Sequence, residues 1–170
     1  MTTQTDIERA RFNMVEQQIR PWDVLDQNVL DLLFEVRRED FVLPQYRSLA
    51  FFDMEIPLAA DAGAGEQMLS PKLEARMLQE LALKPTDRVL EIGTGSGYMT
   101  ALLAHRAAHV TSVEIKSAYS AQAAERLAAH GIRNVTLEVG DGARGWPRNA
   151  PYDVIVLTRS EEHTSELQSH

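Results

Sequence analysis

The sequence predicts an α/β fold, a parallel sheet with an N-terminal helical extension, on three observations. From Arg88 onward, short apolar runs alternate with helical stretches, at a spacing that leaves a right-handed crossover between successive strands. The last run, Val154–Leu157, is apolar throughout, as a strand covered on both faces should be. Gly93, Gly95 and Gly97 stand at alternate positions directly after the first of these strands, where the backbone must turn sharply into a helix.

A length of 170 residues suits one domain, and 44% hydrophobic with 25% charged residues is the globular average, which argues against wholesale disorder. With 17 Lys+Arg against 25 Asp+Glu the net charge is -8, the wrong sign for a general nucleic-acid binder. The absence of cysteine removes disulfides, thiolate catalysis and Cys-ligated metals. No apolar run approaches the roughly 18 residues of a membrane helix, and the polar N-terminus does not read as a secretory signal. A cytoplasmic chain is expected.

Taken in order, Ile7, Ala10, Met14, Val15 and Ile19 recur at three- and four-residue steps, predicting an amphipathic helix over 6–20 that stops before Pro21. Asp26 is placed to cap a second helix with Val29, Leu30, Leu33 and Phe34 on its buried side. Residues 37–65 mix aromatics, prolines and glycines, which predicts an irregular segment with one or two short strands. Ser70 and Pro71 read as an N-cap and N1 proline, opening a helix with Leu73, Met77, Leu78 and Leu81 that ends at Leu83-Lys84-Pro85. Arg88–Ile92 is the first parallel strand, with a helix around Met99–Arg106 after it. His109–Ile115 is the second, followed by an alanine-rich helix over Ala118–His130 with Gly131 as its C′ residue. Asn134–Val139 and Tyr152–Thr158 are the third and fourth. No internal repeat is present.

The glycine loop, VLEIGTGSGY over Val89–Tyr98, sorts its ligands by spacing. A dinucleotide fingerprint requires G-x-G-x-x-G, and here Tyr98 stands where that third glycine belongs. A P-loop requires Gly-Lys-Ser/Thr, and there is no lysine. Glu91 ahead of the glycines repels a pyrophosphate and suits a cation. The alternative is a tight turn without a ligand. Glu114, at the end of the second strand, can accept from both ribose hydroxyls, or simply face solvent. Asp141, between Gly140 and Gly142 after the third strand, can accept from an exocyclic amino group such as adenine N6, or form an Asp-Gly turn. All three fall at the carboxyl ends of adjacent strands, where open α/β sheets bind ligands. Carboxylates over a glycine loop with no phosphate-binding group fit adenosine carrying a positive centre, as in S-adenosylmethionine.

The E-x-G-x-G-x-G run at Glu91–Gly97 resembles the loop of class I S-adenosylmethionine-dependent methyltransferases. MVEQQIR (Met14–Arg20), VRREDFV (Val36–Val42), YRSLA (Tyr46–Ala50), DRVLEIGTGSGY (Asp87–Tyr98) and GDGARGWP (Gly140–Pro147) resemble the protein-L-isoaspartate O-methyltransferase family, over nearly all of residues 10–158. The resemblance implies a Rossmann-like sheet ordered 3-2-1-4-5-7-6, of which four strands are present. It implies an enzyme that methylates the free carboxylate of L-isoaspartyl and D-aspartyl residues in damaged proteins, the ester then collapsing to a succinimide. On this reading Glu91, Gly93, Thr94, Gly95, Ser96 and Gly97 hold the methionine and ribose end, Glu114 the ribose, and Asp141 with Gly142 the adenine. Gln67 and Ser70 face the acceptor, so 1–70 form a helical, substrate-side region and 71–158 the donor-binding α/β domain.

One motif departs from the family's G-x-x-Q-T-I-S-x-P. Here Gly65-Glu66-Gln67-Met68-Leu69-Ser70-Pro71-Lys72 keeps Gln67 and Ser70, replaces Thr with Met68, and brings the proline one residue early. Ser70 can hydrogen-bond the acceptor carboxylate or merely cap its helix. Met68 favours an alternative, a class I methyltransferase with another small-molecule or macromolecular acceptor; a cofactor-binding chain without transfer activity is a third reading. A carboxylate is ionised at neutral pH, so no general base is required. The five histidines show no metal-ligand spacing and are read as non-catalytic; Trp22 and Trp146 are read as packing residues. Isoaspartyl proteins or peptides are the expected partners, with neither nucleic acid nor membrane.

Residues 159–170 (RSEEHTSELQSH) have no hydrophobic period and resemble the in-frame translation of a sequencing-library adapter. They are set aside as a non-native tail, against the alternative of a short polar terminus. The natural chain is then expected to continue past Thr158. The fourth strand becomes an exposed apolar edge, with weak stability and little activity expected of the isolated chain.

Overall fold

The computed structural model describes residues 3–158, so the expected tail lies outside the described residues. Helix α1 (Gln4–Met14) opens with a capping box, in which the side chains of Thr3 and Asp6 each accept from the other's backbone N–H. The expected stop before Pro21 is replaced by a change of helix type. Val15–Ile19 widens into a π turn, Arg20–Trp22 tightens into a 3-10 turn that contains Pro21, and Asp23 reverses the chain at a φ of 61°. Proline is tolerated because a first-turn N–H has no intrahelical partner to lose. Helix α2 (Gln27–Glu35) is capped by Asp26, whose carboxylate accepts from the Asn28 N–H at 2.9 Å. Its buried face differs by one residue from expectation: Leu32, one turn from Val29, is buried, and Phe34 is 39% exposed.

Two 3-10 turns, Arg38–Phe41 and Pro44–Leu49, carry the irregular segment to a short antiparallel pair. In it β1 (Ile56–Pro57) meets β2 (Gln67–Met68), with Ile56 opposite Met68. Helix α3 (Pro71–Leu81) follows; Ser70 takes the extended N-cap backbone but its side chain makes no cap bond. Glu74, Ala75 and Leu78 form its buried face, and Leu73, expected inside, is exposed at the turn beside the N-terminus.

The main sheet comprises β3 (Arg88–Ile92), β4 (His109–Glu114), β5 (Val135–Val139) and β6 (Val154–Leu157), all parallel and ordered β5-β4-β3-β6. That is the 3-2-1-4 order of the first four strands. Helices α4 (Tyr98–Arg106) and α5 (Ser117–Ala129) supply two of the crossovers, and Gly131 (φ 70°) closes α5. Alternation along β3 divides the core. Val89 joins the cluster that contains α4, whereas Leu90 and Ile92 face the other way, under Trp146, Tyr152 and Leu157. Met14, Leu30 and Phe41 share the larger cluster with Leu78, Leu103 and Val156, so one apolar core crosses residue 70.

Candidate active site

Strand β3 delivers the chain to Gly93 and Gly95, at φ values of 103° and 53°, and then to Gly97 at 88°, which starts α4. Only glycine adopts such angles without a steric cost. Strand β4 ends beside this loop in Glu114. One Glu114 oxygen accepts from the Gly95 N–H and the other from the Lys116 N–H, each at 2.9 Å. The carboxylate is 7% exposed and clamped between two loops, yet each oxygen keeps a second acceptor direction. Gly93, Gly95 and Glu114 border a cleft of about 150 Å³, whose other wall includes Gly65, Glu66 and Gln67. The segment before α3 and the glycine loop, far apart in sequence, therefore share one cavity.

Residues not singled out in the sequence complete it. Ile115, 52% exposed, offers an apolar surface on the wall next to Glu114. The Glu66 carboxylate accepts from Lys116 Nζ at 2.6 Å, from the Tyr119 hydroxyl at 2.5 Å and from the Gly63 N–H at 3.1 Å. The Lys116 and Tyr119 hydrogen bonds lead in holding its carboxyl down at about 2, while burial and the Glu66 charge push the Tyr119 phenol up. No sequence signal pairs residues 50 positions apart, although Glu66 adjoins Gln67 and Lys116 closely follows Glu114.

Several expected contacts are corrected. Glu91 does not reach the cleft. It alternates with Leu90 and Ile92, so its side chain enters the α4 side of the sheet, where it is 0% exposed. There the Thr100 hydroxyl donates to it, with Ser112 at 2.6 Å and Thr158 at 2.9 Å. Burial pushes its carboxyl up to about 7 against the pull of these three hydroxyls. The Thr94 hydroxyl lies 2.6 Å from Ser112 Oγ, and the Ser96 hydroxyl accepts from the Tyr98 N–H at 3.1 Å, so both side chains are turned inward. A Cβ on Gly97 would stand 3.0 Å from Ala123 Cβ, so this glycine serves the contact of α4 with α5. Asp141 is exposed and accepts from the Ala143 N–H at 3.0 Å, the Asp-Gly turn. Gly142 is buried against Ile92, where a Cβ would meet Cδ1 at 2.7 Å. Neither borders the cleft, nor does Ser70, whereas Gln67 does.

Among the described residues no helix is long and apolar enough to cross a membrane, and no group of three or more side chains is arranged to hold a metal. A family model described as protein-L-isoaspartate(D-aspartate) O-methyltransferase (PCMT) matches residues 9–167. The chain belongs to that family. Protein-L-isoaspartate O-methyltransferase 2 of Anaeromyxobacter sp. (strain Fw109-5) is 42% identical over 91% of this chain and 62% of its own length. Protein-L-isoaspartate O-methyltransferase 1 of Rhodopseudomonas palustris (strain HaA2) is 43% identical over 94% of this chain and 63% of its own. The chain thus spans about three fifths of these curated relatives. A solved protein-L-isoaspartate O-methyltransferase superposes with a TM-score of 0.72 at 28% identity, covering 89% of this chain and 47% of the other. A second structure, from Plasmodium falciparum and in complex with S-adenosyl-L-homocysteine, superposes at 0.68 with 16% identity, covering 88% and 72%; it speaks to the fold alone.

Proposed function

We propose that this family member transfers a methyl group from S-adenosylmethionine to the free carboxylate of L-isoaspartyl and D-aspartyl residues in damaged cytoplasmic proteins. The observation that carries this reading is the single cleft shared by the glycine loop, the clamped Glu114 carboxylate and Gln67. The residues present fit the donor: Glu114 retains acceptor directions for ribose hydroxyls, Gly93 and Gly95 expose backbone beside it, and Ile115 offers an apolar face for a base. When bound, S-adenosylmethionine supplies an electrophilic methyl on a sulfonium.

The chain's own residues position and orient. An isoaspartyl carboxylate is already ionised at neutral pH, so the protein has no proton to remove. Holding acceptor and donor near attack geometry can contribute on the order of 7–11 kcal/mol. We assign donor binding to residues 71–158 and acceptor binding to 1–70 with Gln67 and Ser70, whose hydroxyl is not spent on its helix. The Met68 departure supports a change of acceptor only weakly, because Met68 is 4% exposed and packs into the apolar core.

Incubation of the full-length protein with labelled S-adenosylmethionine and a matched pair of isoaspartyl and aspartyl peptides tests the proposal. Label confined to the isoaspartyl peptide is expected. Label only in other acceptors assigns a different methyl transfer, and donor binding without transfer overturns the enzymatic reading.

A further inference from the structure

We infer that Arg38 is a positioning residue, which ties the acceptor-side segment 67–70 to the start of α4; the inference rests on the reading given under Proposed function. Arg38 lies in the 3-10 turn Arg38–Phe41 and is 0% exposed. Its Nε donates to the Ala50 carbonyl at 2.7 Å, Nη2 donates to the Leu69 carbonyl at 2.8 Å, and Nη1 pairs with the Glu74 carboxylate. The guanidinium carbon sits 4.9 Å from the centroid of the Tyr98 ring. Leu69 immediately precedes Ser70, Glu74 belongs to the helix that Ser70 starts, and Tyr98 immediately follows Gly97. One planar cation thus touches the segments that continue from both walls of the cleft, Leu69 after Gln67 and Tyr98 after the glycine loop. A buried guanidinium is tolerated only when its donors are matched, and its rigid fork serves three directions that a lysine ammonium on a flexible stem does not.

The two halves differ in their other anchors. The glycine loop is held without Arg38, by Glu114 on the Gly95 N–H, by the Val113 carbonyl on the Gly93 N–H at 2.8 Å, and by Arg126 on the Ser96 carbonyl at 2.9 Å. The acceptor-side segment has the two-residue pairing of β2 and a Glu74 N–H to Ser70 carbonyl bond at 3.2 Å; the Leu69 carbonyl between them is held by Arg38. Loss of the fork therefore loosens 68–70 while the donor loop stays in place. Turnover should fall without a matching loss of donor affinity, because small misplacements of reacting groups cost rate steeply.

The test uses Arg38→Lys in the full chain, with three readouts. Expected are a dissociation constant for S-adenosylhomocysteine within about 2-fold of the parent, a kcat on isoaspartyl peptide lowered roughly 10–100-fold, and faster amide exchange at Met68–Ser70 with Gly93–Gly97 unchanged. Unaltered exchange at 68–70, or exchange and donor binding that loosen together throughout the site, overturns the inference. Should the lysine variant fail to fold, Glu74→Gln decides. It removes the charge partner that holds the buried fork, so amide exchange at Met68–Ser70 is expected to quicken while Gly93–Gly97 stay as in the parent, and unaltered exchange at 68–70 refutes the Leu69 tether. A parent chain that never labels isoaspartyl peptide defeats the proposed function, while the exchange pattern still reads the role of Arg38.

Discussion

Glu91 and Glu114 carry the same carboxylate on neighbouring strands and on the same face of the sheet, and position along the strand gives them different surroundings, Glu91 within its strand and Glu114 at the strand end beside the glycine loop. Glu114 finds two backbone N–H donors at the cleft, whereas Glu91 is surrounded by hydroxyls in the core, where burial pushes its carboxyl up. Glu114→Ala is expected to weaken donor binding at least about 10-fold, since hydrogen bonds to a charged group contribute about 1.5–3 kcal/mol; calorimetric titration with S-adenosylhomocysteine measures it, and unchanged affinity would remove Glu114 from the donor site. Glu91 makes a pH prediction. Its folded pKa of about 7 lies above the ordinary 4.5, so across that window the folded chain keeps a proton that the unfolded chain has released. This contribution is fully present below about pH 4.5 and is lost as pH rises through 7, by at most about 3 kcal/mol. Glu91→Gln should flatten the fall in melting temperature between pH 5 and pH 8 that the parent shows, and parallel curves for the two proteins would contradict the assignment. The sequence marked Glu91 as important but not its direction, because a ligand-facing and a buried carboxylate look alike until the strand's partners are known.

At the level of elements, local signals wrote most boundaries. Asp26 caps α2 as its position implied, and Asp26→Ala should cost about 1 kcal/mol in urea unfolding. The end of α1 was not legible: Pro21 reads as a stop, yet the chain passes through it by changing from α to π to 3-10 geometry. Gly97 shows how one residue type can answer two demands. Its φ of 88° makes the turn, and its missing side chain admits Ala123 of α5. Gly97→Ala should therefore destabilise by about 2 kcal/mol or more, combining left-handed strain of about 1–2 kcal/mol with a Cβ 3.0 Å from Ala123. Ala123→Gly in the same chain should recover only the contact portion of the loss, as read from denaturant midpoints.

For the molecule as a whole, β6 pairs only with β3 among the described residues and leaves Ile155 61% exposed. An apolar edge of this kind recruits other chains. Ile155→Lys should raise the monomeric fraction of the 170-residue chain in light scattering without lowering its melting temperature; unchanged association would place the sticky surface elsewhere. The parallel sheet and its glycine turn could be read from the chain because hydrophobic period and glycine spacing are local properties, which every covering arrangement must respect; the strand order came only from the family resemblance. What the chain could not declare was which distant residues meet in the fold. Glu66 with Lys116 and Tyr119, Arg38 with Leu69 and Tyr98, and Glu91 with Thr100 and Thr158 join residues from 9 to 67 positions apart. Such pairings depend on how the strands pack and on which face each side chain enters, so they are set only when the core closes.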